Sequence, residues 1–292
     1  MLNNLDLDSF SLDSPLTQGQ PLNVIANWKI LEQHSNLDSL IIQWQLATDE
    51  TLDTGLSAAE VLSTFISDDP EAETRQLVTD NTIVFDKTTK LLAQSSLNTI
   101  PSNTYINEQY NLRIPTDLSP GKYRLTLYGR DLSNTTHILT FSDQLIITPR
   151  KRTFTSSNMT HSVNAVFGDK IRLAGYDTSH NDSHLHLKLH WKALGQIDTD
   201  YTYFVHLWDK DKLVSQIDTM PDSYQYPTSW WAPNEAYSDT VEIDISHLTS
   251  GQYNLSAGVY DPSNNNRLAI SEGINSDTLN NTIKLLPLVL EE

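Results

Sequence analysis

Hydrophobic and polar residues alternate without a break from Ser183 to Trp191. Leu185, Leu187, Leu189 and Trp191 fall on one side of an extended chain, and His184, His186, Lys188 and His190 on the other. The pattern predicts a strand with one core face and one solvated face. Strand-length runs of the same character recur at Pro21–Trp28, Ser39–Leu46, Asn81–Phe85, Leu91–Gln94, Lys122–Tyr128, Gln144–Thr148, Tyr201–Trp208, Thr240–Ile245, Tyr253–Tyr260 and Thr282–Leu290. Between them lie turns rich in Asn, Asp, Ser, Gly and Pro, such as Pro120-Gly121, Thr249-Ser-Gly251 and Asp261-Pro-Ser-Asn-Asn-Asn266. Many short strands separated by such turns predict an antiparallel β-sandwich, immunoglobulin-like or jelly-roll in topology.

The pattern repeats. Pro115-Thr-Asp-Leu-Ser-Pro-Gly-Lys-Tyr-Arg-Leu125 aligns without a gap on Ile245-Ser-His-Leu-Thr-Ser-Gly-Gln-Tyr-Asn-Leu255, an offset of 130 residues, and each is followed six residues later by an acid, Asp131 and Asp261. Upstream, Val84–Gln94 resembles His206–Gln216. A period of this size is long enough for each copy to carry its own core, so it predicts two tandem sandwiches rather than a solenoid. We expect module one over residues 19–149 and module two over 153–290. A polar, acidic flexible leader over 1–18 precedes them, and a basic linker over 150–152 separates them. Residues 50–80 have no counterpart in module two and read as an insertion. In it Ser57 and Glu60 have capping-box spacing ahead of Ala58, Val61, Leu62 and Phe65, which predicts a short helix.

Composition narrows the partners. The 37 acidic residues outnumber the 19 basic ones, for a formal net charge of −18. Neutralising phosphates needs Lys and Arg, so the balance argues against nucleic acid and against an anionic membrane surface. The chain has no Cys, which excludes disulfides and thiolate chemistry. The residues after Met1 lack a basic and an apolar region, so they do not read as a secretory signal, and no run approaches the roughly 20 apolar residues of a membrane span. No membrane insertion is expected from this chain.

Catalytic signatures are missing: there is no glycine-rich phosphate loop, no Gly-x-Ser-x-Gly elbow and no His-Glu-x-x-His. We therefore expect no catalytic residues, no cofactor and no enzyme. His184, His186 and His190, with His206 from a neighbouring strand, invite a metal reading. His186 and His190, however, are four strand residues apart, roughly 13 Å, too far for one ion. A solvated polar face is the expectation, with no metal.

Three segments together carry a resemblance: Phe204-Val-His-Leu-Trp-Asp-Lys-Asp-Lys-Leu-Val-Ser-Gln216; Tyr226-Pro-Thr-Ser-Trp-Trp-Ala-Pro-Asn-Glu235; and Gly251-Gln-Tyr-Asn-Leu255 with Gly258-Val-Tyr-Asp-Pro262. This set resembles a β-sandwich accessory domain appended to polytopic bacterial membrane glycosyltransferases of the lipid-linked-sugar type, here in tandem duplicate. The resemblance implies a noncatalytic, extracytoplasmic accessory or interaction protein. It also implies a glycan or cell-envelope protein as partner, and a membrane-embedded region upstream. The transferase chemistry of that family belongs to its membrane part, so no catalytic residue carries over. Module one departs from the pattern, with Tyr105-Ile-Asn-Glu-Gln-Tyr110 where module two has its Trp pair.

One loop stands out as a candidate site. Tyr224, Tyr226, Trp230 and Trp231 crowd into eight positions, and adjacent tryptophans on a simple strand cannot both point inward. An exposed indole would stack on a sugar ring, with Asn234 and Glu235 as hydroxyl partners, so this loop is the candidate ligand site of a carbohydrate-binding module. The competing expectation is that the tryptophans plug the open end of the sandwich, as the resemblance implies. A glycan-active β-sandwich enzyme is the third possibility, but 37 acids offer no means of choosing a catalytic pair.

Overall fold

The structure is a computed structural model, and it describes residues 5–31, 41–48, 83–90, 100–130 and 136–291. The described residues are all-β apart from one 3-10 turn at Thr228–Trp230. They fall into two compact units, Met1–Arg150 and Lys151–Glu292. The helix expected within residues 50–80, and the strand expected at 91–94, lie outside the described residues.

In the first unit, β1 (Leu5–Leu12), β3 (Leu22–Ile30) and β6 (Tyr105–Leu112) form one antiparallel sheet in the order β1-β3-β6. The other sheet contains β2 (Leu16–Thr17), β4 (Ile41–Thr48), β5 (Ile83–Lys90), β7 (Gly121–Arg130) and β8 (Thr136–Thr148), in the order β2-β8-β7-β4-β5. Alternation places Val24, Ala26, Trp28 and Ile30 of β3 opposite Ile42, Trp44 and Leu46 of β4 and Tyr123, Leu125 and Leu127 of β7, all in one buried cluster. The expected leader is a correction: residues 5–12 and 16–17 are strands, and Leu5 and Leu16 are buried in the same core. Asp6, Asp8 and the serines between the apolar positions give this stretch its disordered composition, yet polar and apolar positions alike pair with β3, with a register shift between Leu7 and Ser9.

In the second unit, one sheet contains β9 (His161–Phe167), β10 (Ile171–His180), β11 (His184–Ala193), β14 (Ala236–Asp244) and β17 (Ile270–Glu272), in the order β14-β11-β10-β9-β17. The other contains β12 (Thr202–Asp209), β13 (Lys212–Thr219), β15 (Gly251–Asp261), β18 (Ser276–Asp277) and β19 (Thr282–Lys284), in the order β13-β12-β15-β19-β18, with β16 (Asn266–Arg267) and β20 (Leu288–Leu290) also pairing with β15. Leu185, Leu187, Leu189 and Trp191 face Tyr203, Val205 and Leu207 of β12 and Tyr253, Leu255, Ala257 and Val259 of β15 across one core.

The pairings β3·β6, β4·β5 and β4·β7 of the first unit recur as β11·β14, β12·β13 and β12·β15 in the second, all antiparallel. Tyr123 and Tyr253 are both buried, and each donates its phenol to the carbonyl four residues earlier, Ser119 at 2.6 Å and Thr249 at 2.8 Å. The two glycines of the repeated turn differ, since Gly251 has φ +155 and Gly121 stays outside the positive range.

Candidate functional site

The loop from Met220 to Glu235 is built on two local devices. At its start Asp222, Ser223 and Tyr224 all adopt left-handed backbone conformations, with φ of 53, 49 and 71. Such conformations are costly for residues with a Cβ. The turn is held by Tyr224 N donating to Met220 O at 3.3 Å, and by Tyr226 N donating to Pro221 O at 3.2 Å. At its centre the 3-10 turn Thr228–Trp230 is tied to the β11–β12 connection, where Thr228 Oγ1 accepts from Tyr201 N at 2.9 Å and donates to Thr199 O at 2.8 Å.

The candidate residues do not share one environment. Tyr226, Trp231 and Glu235 are buried, Trp230 is half-buried, and Tyr224 and Asn234 are exposed. Trp231, at 1% exposure, donates its indole N–H to Tyr226 O at 3.3 Å and packs 5.6 Å from the Tyr237 ring. Tyr226 sits 5.1 Å from Tyr237 and 6.5 Å from Trp230 in edge-on contacts. Edge-on and tilted packing is what aromatic quadrupoles favour, so the rings satisfy one another.

A buried ion pair lies beneath these rings. Arg152 Nη1 donates to Glu235 Oε2, to Tyr226 Oη at 3.0 Å and to Trp230 O at 3.1 Å. Glu235 Oε1 accepts from Tyr226 Oη at 2.8 Å, and Oε2 accepts from Ala232 N at 2.8 Å. The carboxylate is thus surrounded by donors, the condition under which a buried charge is tolerated. Sequence reasoning missed Arg152, because a basic triplet in an acidic chain reads as a solvated linker. In fact Arg150 bonds Gln18 through Nε and its amide, while Arg152 is buried against Glu235.

A second buried carboxylate braces the loop from the side. Asp239 accepts from Tyr203 Oη at 2.5 Å and from Asp222 N at 3.0 Å, which joins β12, β14 and the left-handed turn. Burial pushes the Asp239 carboxyl up, and the bonds from Tyr203 and the Asp222 amide oppose that shift. Burial and the neighbouring Asp239 charge push the Tyr203 phenol well above its usual range. Alternation from Val241 and Ile243 puts position 239 on the inward face of β14, where an acid is the exception to the apolar pattern.

The histidine face divides. His184 and His186 are outward, and His186 Nδ1 lies 3.2 Å from Glu242 Oε1. His190, expected on a solvated face, is instead 2% exposed. Its Nε2 lies 2.8 Å from Asp177 Oδ2 and its Nδ1 2.9 Å from Ser238 Oγ. Residues 153–160 link β14 to β10, with Thr153 O accepting from Ala236 N and Thr160 donating to the same Asp177 that holds His190. Among the described residues, no three His, Asp or Glu side chains are arranged to hold a metal ion. No helix among them is long and apolar enough to cross a membrane.

No protein-family model matches the chain, and neither does any curated protein. Among solved structures, the C-terminal domain of the Streptococcus agalactiae AgI/II polypeptide BspA is 10% identical, with 90% of this chain and 97% of that chain covered and a TM-score of 0.25. The C-terminal domain of the Streptococcus pyogenes antigen I/II-family protein AspA is 8% identical, with 97% and 100% covered and a TM-score of 0.26. At these scores the likeness carries no argument about family or function, which rests on the residues themselves.

Proposed function

We propose that this chain is a noncatalytic, extracytoplasmic β-sandwich interaction protein that works beside a membrane glycosyltransferase-like system. The observation that carries the reading is the use made of the loop in the resembling segment. Its aromatic and charged groups are spent on one another, around Arg152 and Glu235, as in a structural plug. The glycosyltransferase association is drawn from the sequence resemblance of residues 204–262. We also infer that the two modules arose by duplication, and the repeated pairings and the matching Tyr123 and Tyr253 bonds support this.

A second reading is a carbohydrate-binding module acting through the same loop, favoured by Tyr224, which is 57% exposed, and by the half-buried Trp230. Protease shaving and antibody labelling of intact producing cells test the first reading. Surface or periplasmic labelling, with co-purification of a polytopic transferase from solubilised membranes, is the expected result, and a purely cytosolic pool would overturn it.

A further inference from the structure

The outward face of the sheet β13-β12-β15-β19 carries a row of aromatic rings. On β12 the inward residues are Tyr203, Val205 and Leu207, so Phe204, His206 and Trp208 point away from the core. On β15 the same alternation turns Asn254, Ser256, Gly258 and Tyr260 outward. The rings follow one another at centroid distances of 6.3 Å from Tyr260 to Phe204, 4.4 Å from Phe204 to His206, and 5.6 Å from His206 to Trp208.

The row is held in place before any ligand arrives. Trp208 Nε1 donates to Ser256 Oγ at 3.1 Å, which fixes the indole on its neighbour strand. Phe204 lies against Gly258, where a Cβ would come within 2.4 Å of the ring, and the Arg267 guanidinium covers it at 4.6 Å from the centroid. Phe204 is therefore the buried foundation of the row, while Tyr260, His206 and Trp208 remain partly exposed. Burial holds His206 below its usual pKa, so a neutral ring faces solvent at neutral pH. Register places Gln216 beside His206 on β13, Asp218 beside Phe204, Asn254 beside Trp208 on β15, and Lys284 beside Ser256.

We propose that this face of the second unit binds a neutral oligosaccharide, with its sugar rings stacked along Trp208, His206 and Tyr260. Pyranose rings offer apolar C–H faces and a rim of hydroxyls. The face supplies the complement: π surfaces in a row, bordered by side chains that donate and accept hydrogen bonds. Asp218 contributes one negative charge and Lys284 and Arg267 one positive charge each, with Arg267 laid on the Phe204 ring, so the border carries both signs and no single-sign cluster for an ionic ligand. The excess of acids over bases in the chain disfavours a polyanion. Fixed rings lose little freedom on binding, which is the advantage of a preorganised site. The proposal rests on the reading of the chain as a noncatalytic interaction protein, and it moves the carbohydrate contact from the loop to the sheet.

The test is a glycan array of neutral and acidic oligosaccharides probed with the full chain, followed by fluorescence titration of the tetra- to hexasaccharides that bind. Trp208→Ala should weaken binding by about tenfold or more and Trp208→Phe should keep most of it, whereas Tyr224→Ala, whose phenol neighbours Tyr260, should weaken it less than Trp208→Ala. Thermal melts confirm that each variant is folded. A blank array overturns the proposal, whatever cell labelling shows about location. So does binding that survives Trp208→Ala but is lost in Tyr224→Ala, which would assign recognition to the loop. Binding restricted to acidic glycans overturns it as well.

Discussion

Arg152 and Glu235, 83 residues apart in sequence, form an ion pair inside the second unit, with side-chain exposures of 6% and 2%. The pair joins the first residues of that unit to the end of its aromatic loop. Removing one partner leaves the other charge buried and uncompensated, which costs about 3–5 kcal/mol. Glu235→Ala and Arg152→Ala should therefore each lower urea-unfolding stability by about that much. The double variant Arg152→Met/Glu235→Leu should cost clearly less than either single change. Additive losses would mean that the two charges are not coupled.

Trp231 should behave as a packing residue. It is 1% exposed, and truncating a buried Trp to Ala costs about 3–5 kcal/mol. Trp230, at the half-buried edge of the same cluster, should cost less when truncated. Chemical denaturation of the two variants reads the difference, and equal losses would contradict the division of roles between the two indoles.

The histidine strand offers a test of facing. Leu187 is fully buried, so Leu187→Ala should cost about 2–5 kcal/mol. His186 is outward, and His186→Ala should stay within about 0.5 kcal/mol. Equal effects at the two positions would reverse the assigned faces of β11.

Tyr123 and Tyr253 close equivalent corners, each through one phenol-to-carbonyl hydrogen bond. Replacing either by Phe removes the bond and keeps the ring, so each variant should lose about 0.5–1.5 kcal/mol. Thermal unfolding of both variants would show whether the corners contribute alike.

Asp177 gives the second unit an acid-sensitive contact. Its carboxyl is held well below the usual range by the Thr160 hydroxyl first, then by His190 and the Thr160 amide. A carboxylate depressed in the folded state adds stability above its unfolded pKa of about 3.9, and that contribution is lost as pH falls from there toward the folded value. The melting temperature of the wild type should therefore fall more steeply than that of Asp177→Asn as pH drops below about 4. Parallel pH profiles would sink the assignment.

Much of the architecture could be read from alternation alone. The period-two run of 183–191 identifies Leu185, Leu187, Leu189 and Trp191 as core, and all four are buried. The repeated Gly-x-Tyr-x-Leu segments mark β7 and β15. These features are local, because side-chain alternation is a property of the extended backbone itself. Tertiary structure decided whatever depends on distant partners. Residues 5–12 become a strand only because β3 is there to pair with them. His190 is held between Asp177 of β10 and Ser238 of β14, and Arg152 is buried because Glu235 waits 83 residues away. The order Tyr260, Phe204, His206, Trp208 exists only once β12 and β15 are in register, since no reading of either strand alone brings the four rings together.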